Sequence, residues 1–432
     1  MTADLFRKTI LPSGLTLLTE RMPDRRSLAL GVWVRSGARD EPGEMLGISH
    51  FIEHMMFKGT ERRDARAIAA SLESLGGHLD AFTAREEVCY YARALAEHLP
   101  EATEILADIV CRSRFAPEEV DREKSVVREE IFSCEDNPEE KINDMVAEQV
   151  WPGHPLGRPI LGTVDTVDQL DSPRLRQYFR SRYRPDHLVV AAVGAVEHER
   201  LEDVVAQQFE PPDGPRQPLS GPPPGFAPGV RHVMREDLHQ LYLALGTRGL
   251  GYADPERYVL VVLNTLLGGG MSSRLFQSVR EEAGLAYSVF SAVEFYRETG
   301  LLSIQLGVAP ERGREALQRV RLELEALAAE GPTEEEVAAA RHQLKGSLVM
   351  GQESVSNRLY HLAHEEIYRG GYTSPDEQLE KILAVGRDQV ADMSRRLLSA
   401  ERFALSALGP PTDEPLDGDD WPVGSPAAMS RT

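Results

Sequence analysis

The chain has 432 residues and a formal net charge of −21, with 41% hydrophobic and 27% charged residues. This length exceeds what one core normally serves, so we expect at least two domains of about 200 residues each. The acidic balance argues against a nucleic-acid-binding protein, because a phosphate backbone requires a basic surface. No window approaches the ~18 consecutive apolar residues of a membrane span.

The three cysteines, Cys89, Cys111 and Cys134, are odd in number and far apart. Such spacing gives neither a disulfide framework nor a CxxC metal pair, and it is typical of proteins in a reducing compartment. The first twenty residues contain no apolar run of signal-peptide length. We therefore expect a cytoplasmic protein without a membrane span.

A segment rich in proline and glycine, EPPDGPRQPLSGPPPGFAPG at residues 210–229, divides the chain near its middle. This composition excludes a helix or a central strand and predicts a semi-rigid linker. The predicted domains are therefore residues 1–209 and residues 230–410. Residues 411–432 are acidic and proline-rich, which predicts a mobile tail.

The two halves present similar elements in the same order, which indicates an internal repeat. Each begins with an alternating strand (SLALGVWVRSGA and LYLALGTRGL) and continues with an apolar helix, strand-rich segments and a pair of helices. The strands and helices do not alternate as in βαβ units. This order favours α+β domains whose antiparallel sheets are covered by helices.

The stretch GISHFIEHMMFKGT, residues 47–60, combines His50, Glu53 and His54 with many apolar residues. Residues four apart lie on one face of a helix, so both imidazoles can reach the same ion. Catalytic Zn²⁺ takes three protein ligands and one water, which Glu53 could deprotonate as general base. The alternative is an amphipathic helix with three polar residues by chance.

A third ligand should be a carboxylate on another helix, and EEVDREKSVVREEIFSCED at residues 118–136 supplies candidates. Glu123 and Glu130 are seven residues apart and share a helical face, whereas Glu129 points elsewhere. We therefore favour Glu130 as the ligand and Glu123 as a second carboxylate near it. The alternative is a solvated acidic face. The residues taken as the buried side of this helix are Val126, Val127 and Ile131.

The order His50-x-x-Glu53-His54, followed by Glu130 on a later helix, resembles the insulinase or pitrilysin superfamily, the inverzincins. The phrases HFIEHMMFKGT, LDAFTAREEVCYYARAL, EKSVVREEI and HPLGRPILGT resemble the processing-peptidase branch and its bacterial relatives. The likeness extends through nearly the whole chain. It implies two homologous α+β domains, each an antiparallel sheet with helices packed on one face.

The resemblance also implies roles for single residues. His50, His54 and Glu130 match the zinc ligands, Glu53 matches the general base, and Glu123 matches the acidic residue that supports them. In the second half, the aligned positions carry no metal-binding groups, so we expect one Zn²⁺ per chain. The residues aligned with the motif helix are Val259, Val262 and Leu263, and those aligned with Glu123 and Glu130 are Ala340 and Ser347.

The second half contributes Arg280 and Tyr287, seven residues apart in MSSRLFQSVREEAGLAYSVFS. The resemblance implies that this pair faces the zinc, with Tyr287 donating to the developing oxyanion and Arg280 holding the substrate backbone. Without the resemblance, a surface arginine and a core tyrosine would be the simpler interpretation. The short run Gly268–Gly270 lacks a following Lys-Ser/Thr, so it does not predict a phosphate loop.

The segment LDAFTAR contains Ala81, Phe82 and Thr83 in a predicted edge strand. An edge strand beside a zinc site can bind an extended peptide through main-chain hydrogen bonds, and the resemblance points to the same positions. Asp80 stands where the family often has asparagine. A second histidine pair, His361 and His364, lacks the HxxEH order and is interpreted as a helix face.

The sequence therefore predicts a zinc metalloendopeptidase that cleaves extended peptides or presequence-like segments. We expect a homodimer or a heterodimer with an inactive paralogue, since two domains form half of the family's four-domain assembly. The alternatives are a noncatalytic structural subunit and a protein that binds peptides without cutting them.

Overall fold

The computed structural model describes residues 5–215, 218–219, 221–222, 226 and 228–422. The strands are β1 (Phe6–Ile10), β2 (Thr16–Arg21), β3 (Ser27–Val34), β4 (His78–Thr83), β5 (Val88–Leu95), β6 (Leu188–Gly194), β7 (Val230–Met234), β8 (Leu241–Gly249), β9 (Ala286–Phe295), β10 (Gly300–Val308) and β11 (Ala404–Gly409).

The helices before the linker are α1 (Ile48–Met56), α2 (Ala65–Glu73), α3 (Leu99–Arg112), α4 (Pro117–Asp136), α5 (Pro138–Val150), α6 (Val164–Asp168), α7 (Ser172–Arg182) and α8 (His198–Gln208). Those after it are α9 (Arg257–Gly268), α10 (Gly313–Glu330), α11 (Glu334–Gly351), α12 (Val355–Arg369), α13 (Pro375–Leu383) and α14 (Arg387–Leu397), and Phe276–Glu282 forms a π-helix. No described helix has both the length and the apolar character needed to cross a membrane.

The chain forms two compact units. Unit 1 comprises the described residues of Met1–Ser133, Arg158–Gly221 and Met350–Ser374, and unit 2 comprises those of Cys134–Gly157, Pro222–Val349 and Pro375–Thr432. Each unit is therefore discontinuous in sequence, whereas the predicted domains 1–209 and 230–410 are continuous segments.

Unit 1 contains a sheet of six described strands in the order β1-β2-β6-β3-β5-β4. All neighbouring strands are antiparallel except the parallel pair β2 and β6. The strands β3 and β6 are buried along nearly their whole length, as expected for central strands covered on both faces. β4 lies at one edge, next to α1.

Unit 2 repeats this arrangement with five described strands in the order β7-β11-β8-β10-β9. The outer pair β7 and β11 is parallel, and every other neighbouring pair is antiparallel. The order matches β2-β6-β3-β5-β4 of unit 1, so β9 occupies the place of the edge strand β4. The predicted fold class, α+β with two homologous sheet-and-helix domains, is confirmed.

The second face of each sheet is covered by a helix from the other half of the sequence. In unit 1, Leu359, Leu362 and Ala363 of α12 pack with Trp33 and Cys89 in one apolar cluster. In unit 2, the corresponding helix is α5, which packs on β8 and β11. The resemblance implied helices on one face, and the exchanged helices complete the other face because the central strands are apolar on both sides.

The C-terminal segment differs from the predicted mobile tail in its described part. The Trp421 side chain is fully buried, and its indole N–H donates to the Phe403 carbonyl at 3.1 Å. Arg314 forms an ion pair with Asp420 at 2.6 Å. The segment is ordered here because burial of the Trp421 indole stabilises it despite its acidic composition. Residues 423–432 of the predicted tail and part of the predicted linker lie outside the described residues.

Candidate metal centre

The helix α1 carries three of the predicted site residues and begins in a fixed place. Gly47 has a left-handed backbone (φ 86°), and a Cβ there would lie 2.4 Å from the Leu161 carbonyl oxygen, so only glycine fits. The apolar residues of α1 are buried in the core of unit 1. This packing leaves His50, Glu53 and His54 on the side that faces α4 and β4.

The helix α4 supplies the two carboxylates that the spacing predicted. Glu123 is buried and Glu130 is partly exposed, and Val127 between them is buried. The assignment of Val126 to the buried side is wrong, because it is 49% exposed. Val126 lies one turn before Glu130 and so shares the solvent side of α4 with it.

Three potential ligand atoms converge between α1 and α4. Nε2 of His50 and Nε2 of His54 lie 3.5 Å and 3.4 Å from the same Glu130 Oε2 atom. All three ligand atoms lie within 4.8 Å of one another. A tetrahedron with Zn–N and Zn–O bonds of ~2.0–2.2 Å has edges of ~3.3–3.6 Å. The two nitrogen-to-oxygen separations match those edges, so the donor set fits Zn²⁺.

Glu123 supports this cluster from the side. Its Oε1 is 2.8 Å from His54 Nδ1, and its Oε2 is 2.7 Å from Lys58 Nζ. A carboxylate on the far nitrogen of a metal-binding histidine fixes the tautomer and orients the ring. Burial alone would raise the pKa of Glu123, but the bonds from His54 and Lys58 outweigh burial and lower that pKa.

The carboxylates also control the proton on His54. Burial alone would lower the pKa of His54, but the hydrogen bonds to Glu123 and Glu130 prevail and raise this pKa to about 9. Hydrogen bonds from His50 and His54 hold the pKa of Glu130 well below its usual range. With such a pKa, His54 is a cation beside two carboxylates at neutral pH, so a metal ion bound there would displace its proton.

Glu53 projects beside the three ligand atoms and contacts the edge strand. The Thr83 hydroxyl donates to Glu53 Oε2 at 2.5 Å. Burial raises the pKa of Glu53, although this hydrogen bond and the nearby histidines oppose the increase. A carboxylate with a raised pKa beside a metal-binding cluster has the properties of a general base.

The edge strand β4 presents only part of its main chain to a new strand. The Ala84 N–H donates to the Glu87 carbonyl at 2.8 Å, and Phe82 is in register with Cys89. Hydrogen-bonded pairs alternate along antiparallel strands, so the main chain of Phe82 is used by β5. The main-chain N–H and C=O groups of Ala81 and Thr83 point away from β5, towards the open edge of the sheet. The Ala81 N–H donates to its neighbour Asp80 at 2.8 Å.

Comparisons with known proteins identify the family. Residues 16–164 match the model of the insulinase family, peptidase family M16, and residues 169–344 match the model of the peptidase M16 inactive domain. The chain belongs to peptidase family M16. The three potential ligand residues, His50, His54 and Glu130, and the nearby Glu53 lie within the first matched segment.

Curated relatives of this M16 chain are named as zinc proteases. An uncharacterized zinc protease of Streptomyces coelicolor is 39% identical over 415 residues, which cover 94% of this chain and 90% of that protein. The uncharacterized zinc protease YmxG of Bacillus subtilis is 36% identical over 411 residues, which cover 95% of this chain and 100% of that protein. These names support the assignment of the chain to the zinc metallopeptidases, a class of hydrolases.

Solved structures show the same fold. A peptidase M16 inactive domain from Pseudomonas fluorescens matches with a TM-score of 0.89 and 21% identity, covering 95% of this chain and 100% of that one. A protease from Helicobacter pylori matches with a TM-score of 0.89 and 20% identity, covering 94% and 99%.

Arg280 and Tyr287 of this M16 chain belong to unit 2. Arg280 lies in the last turn of the π-helix Phe276–Glu282, and Tyr287 follows at the start of β9. The guanidinium carbon of Arg280 lies 5.2 Å from the Tyr287 ring centroid. The tyrosine is 82% exposed, so the interpretation as a core tyrosine is wrong, and its hydroxyl is available to a ligand.

The histidine pair of α12 forms contacts typical of a packed helix. His364 Nε2 is 2.7 Å from Glu87 Oε1, and His361 Nε2 is 2.7 Å from the Thr373 carbonyl. The residues that sequence reasoning missed are Lys58 and Glu41. Lys58 comes four residues after His54, a spacing that could have been noticed. Glu41, which accepts the N–H groups of Gly47 and Ser49 at the start of α1, precedes that helix in a loop and gives no periodic signal.

Proposed function

We propose that this chain is a zinc-dependent endopeptidase that cleaves extended peptides or presequence-like segments. One observation carries the proposal. The three ligand atoms of His50, His54 and Glu130 lie within 4.8 Å of one another, and Glu53 lies beside them in contact with the edge strand β4. One Zn²⁺ per chain is proposed, held by these three side chains.

Zn²⁺ held by His50, His54 and Glu130 would supply a water of lowered pKa and a positive charge near the scissile carbonyl. The side chain of Glu53 accepts a proton from the attacking water and delivers it to the leaving amine. Thr83 fixes one oxygen of Glu53, so the carboxylate keeps one orientation during both transfers. Glu123 and Lys58 hold the ring of His54 in place.

The substrate is proposed to bind along β4 as an added antiparallel strand. The outward main-chain groups of Ala81 and Thr83 pair with the peptide, whose carbonyl replaces Asp80 as the acceptor of the Ala81 N–H, while Phe82 keeps its pairing with Cys89. An extended peptide in this place passes the Thr83 side chain, which contacts Glu53. Extended conformation, more than any one side chain, is therefore the feature that β4 selects.

For unit 2, the proposed roles are donation by Tyr287 to the carbonyl oxygen as negative charge develops, and binding of the substrate backbone by Arg280. The proposed assembly is a homodimer or a heterodimer with an inactive paralogue. Light scattering on the purified chain, alone and with candidate paralogues, measures it, and a monomer in every mixture contradicts the proposal. The three cysteines are unpaired, which suits the proposed cytoplasmic location.

The test of the proposed reaction is the Glu53→Gln variant, assayed for zinc content and for cleavage of a quenched peptide library. Replacement of the base removes proton transfer and keeps the ligands, so kcat should fall by about 10²–10⁴-fold with zinc retained. The matched control is Glu129→Gln, which changes an exposed carboxylate of α4 outside the cluster.

Three results would contradict the proposal. A wild-type chain that binds no zinc and cleaves no peptide would indicate a noncatalytic family member, the alternative that the inactive-domain relatives keep open. A chain that binds peptides and zinc but does not cut them would indicate a peptide-binding subunit. Glu129→Gln with the same loss as Glu53→Gln would show that general charge, and not the base, was removed.

A further inference from the structure

The short helix α1 depends on outside contacts for its position. It has nine residues, and a helix of this length is marginal in isolation. Its first N–H groups have no partners within the helix, and its N-cap residue, Gly47, has no side chain to bond them. Since α1 carries His50, Glu53 and His54 together, any shift of its axis moves all three groups.

Glu41 bonds this helix end from six residues away. Its Oε2 accepts the Gly47 N–H and its Oε1 accepts the Ser49 N–H, both at 2.8 Å. The residue is 4% exposed. Burial raises the pKa of Glu41 to about 8, although the hydrogen bonds from the Ser49 and Gly47 N–H groups oppose the increase. Both oxygens are therefore committed to α1.

The segment that carries Glu41 is attached to the β4–β5 hairpin. The Ala38 and Arg39 N–H groups donate to the carbonyls of Ala84 and Arg85 at 3.1 Å and 2.7 Å. These carbonyls follow directly after Thr83, the residue that bonds Glu53. Glu41 thus connects the start of α1 to the β4–β5 hairpin, whose strand β4 is the proposed binding edge for the peptide.

A second contact fixes the same helix end. A Cβ on Gly162 would lie 2.3 Å from the Leu46 carbonyl, so the two backbones touch just before Gly47. Arg158 of the same loop donates to the Glu41 carbonyl at 3.2 Å. The close approach of the two backbones leaves little freedom for α1 to slide along its axis once Glu41 is bonded.

We propose that Glu41 is a positioning residue that sets the axial position and rotation of α1, so that His50 and His54 meet Glu130 while Glu53 meets Thr83. The proposal rests on the proposed zinc peptidase function. Glu41 touches neither ligand atoms nor the edge strand in this role, and it acts through the first turn of α1.

The test compares Glu41→Gln and Glu41→Ala with the control Glu44→Gln, an exposed glutamate three residues later. Gln keeps the shape and one acceptor oxygen, whereas Ala removes both. Zinc affinity is measured by chelator competition, geometry by the absorption spectrum of the Co²⁺-substituted chain, and catalysis by separate kcat and KM values. The thermal unfolding of the metal-free chain reports stability.

Glu41→Gln should weaken zinc binding by about 10-fold, within the range for residues that orient ligands, and Glu41→Ala by about 100-fold. The Co²⁺ spectrum should shift, and kcat should fall while KM stays within about twofold. Glu44→Gln should match the wild type in each measurement. A Glu41→Gln variant with wild-type zinc affinity, Co²⁺ spectrum and kcat overturns the proposal.

Amide hydrogen exchange in the metal-free wild type tests the same contact without a variant. The Gly47 and Ser49 amides should exchange as slowly as the interior of α1, and rapid exchange at both overturns the proposal even where the Glu41 variants do not fold. A wild type without zinc binding or cleavage ends the proposed function, and the exchange result then still decides whether Glu41 fixes α1.

Discussion

The helices α1 and α9 occupy equivalent places in two sheets of the same topology, yet they differ in what they bury. α1 places His50, Glu53 and His54 against α4, whereas α9 presents apolar side chains that are almost fully buried. The same difference separates α4, with Glu123 and Glu130, from α11. The apolar residues of α9 at the equivalent positions are Val259, Val262 and Leu263.

This difference shows that the fold does not require the polar cluster. His50 is 7% exposed, and its Nδ1 has no hydrogen-bond partner among the described residues. Leaving a buried polar atom unsatisfied costs about 1–3 kcal/mol, a cost that Val259 avoids. At this position α1 therefore carries an unsatisfied buried atom where α9 carries an apolar side chain.

The largest expected effect comes from making α4 resemble α11. In Glu130→Ala, the oxygen ligand is lost and two histidines remain, so kcat/KM should fall by ~10³-fold or more. Zinc affinity should fall by more than the ~10–100-fold expected for a residue outside the ligand set. Isothermal titration with Zn²⁺ and peptide kinetics measure both, with Glu129→Ala as the control. If Glu130→Ala bound zinc with wild-type affinity, Glu130 would not be a ligand.

The next effect concerns pH, because Leu263, the residue of α9 aligned with His54, cannot titrate. Below about pH 9, the pKa of His54 in the metal-free chain, zinc must displace one proton. The zinc affinity should therefore rise by about tenfold per pH unit between pH 6 and 8. Chelator competition at several pH values measures the slope of zinc affinity against pH. In Glu123→Gln the pKa of His54 should be lower, so the slope should become shallower towards pH 8. A pH-independent affinity would contradict a protonated His54.

The same pKa determines how the stability of the metal-free chain should change with pH. His54 has a folded-state pKa of about 9, above its ordinary value of 6.5. Its contribution to the free energy of unfolding is therefore fully present below pH 6.5 and is lost as the pH rises through 9.

The smallest expected effect on the metal site comes from a substitution that creates a cavity in the core of unit 2. Leu263 is fully buried in the core of that unit, so Leu263→Ala should lower the free energy of unfolding by about 2–5 kcal/mol. Zinc affinity should stay within about twofold, because no metal-binding group is altered. Ile52→Ala in α1 is the matched variant, and it should lower both quantities. A large loss of zinc affinity in Leu263→Ala would show that the two regions are not independent.

Helical periodicity accounts for the parts of the site that the sequence predicts well. Positions 50 and 54 share a face whatever the rest of the chain does, and positions 123 and 130 do the same on α4. The alternation of apolar residues also predicts the strands and the repeat. These features are local, and local patterns survive in the folded chain.

The remaining features depend on contacts between distant segments. Val126 looks apolar enough to be buried, but α4 turns that side to solvent beside Glu130. Trp421 lies in an acidic segment and yet fills the core of unit 2. The exchange of α5 and α12 is equally hidden, because an amphipathic helix does not specify which sheet it covers.

That exchange has a consequence for the biosynthesis of the chain. The sheet face that carries Trp33 and Cys89 is complete only when α12 is in place, and the ribosome makes α12 long after the last strand of unit 1. A nascent first half therefore exposes a bare apolar face throughout the translation of most of the second half. Native folding of either half must await nearly the entire polypeptide, and a gene divided at the linker would encode two fragments that need each other to fold.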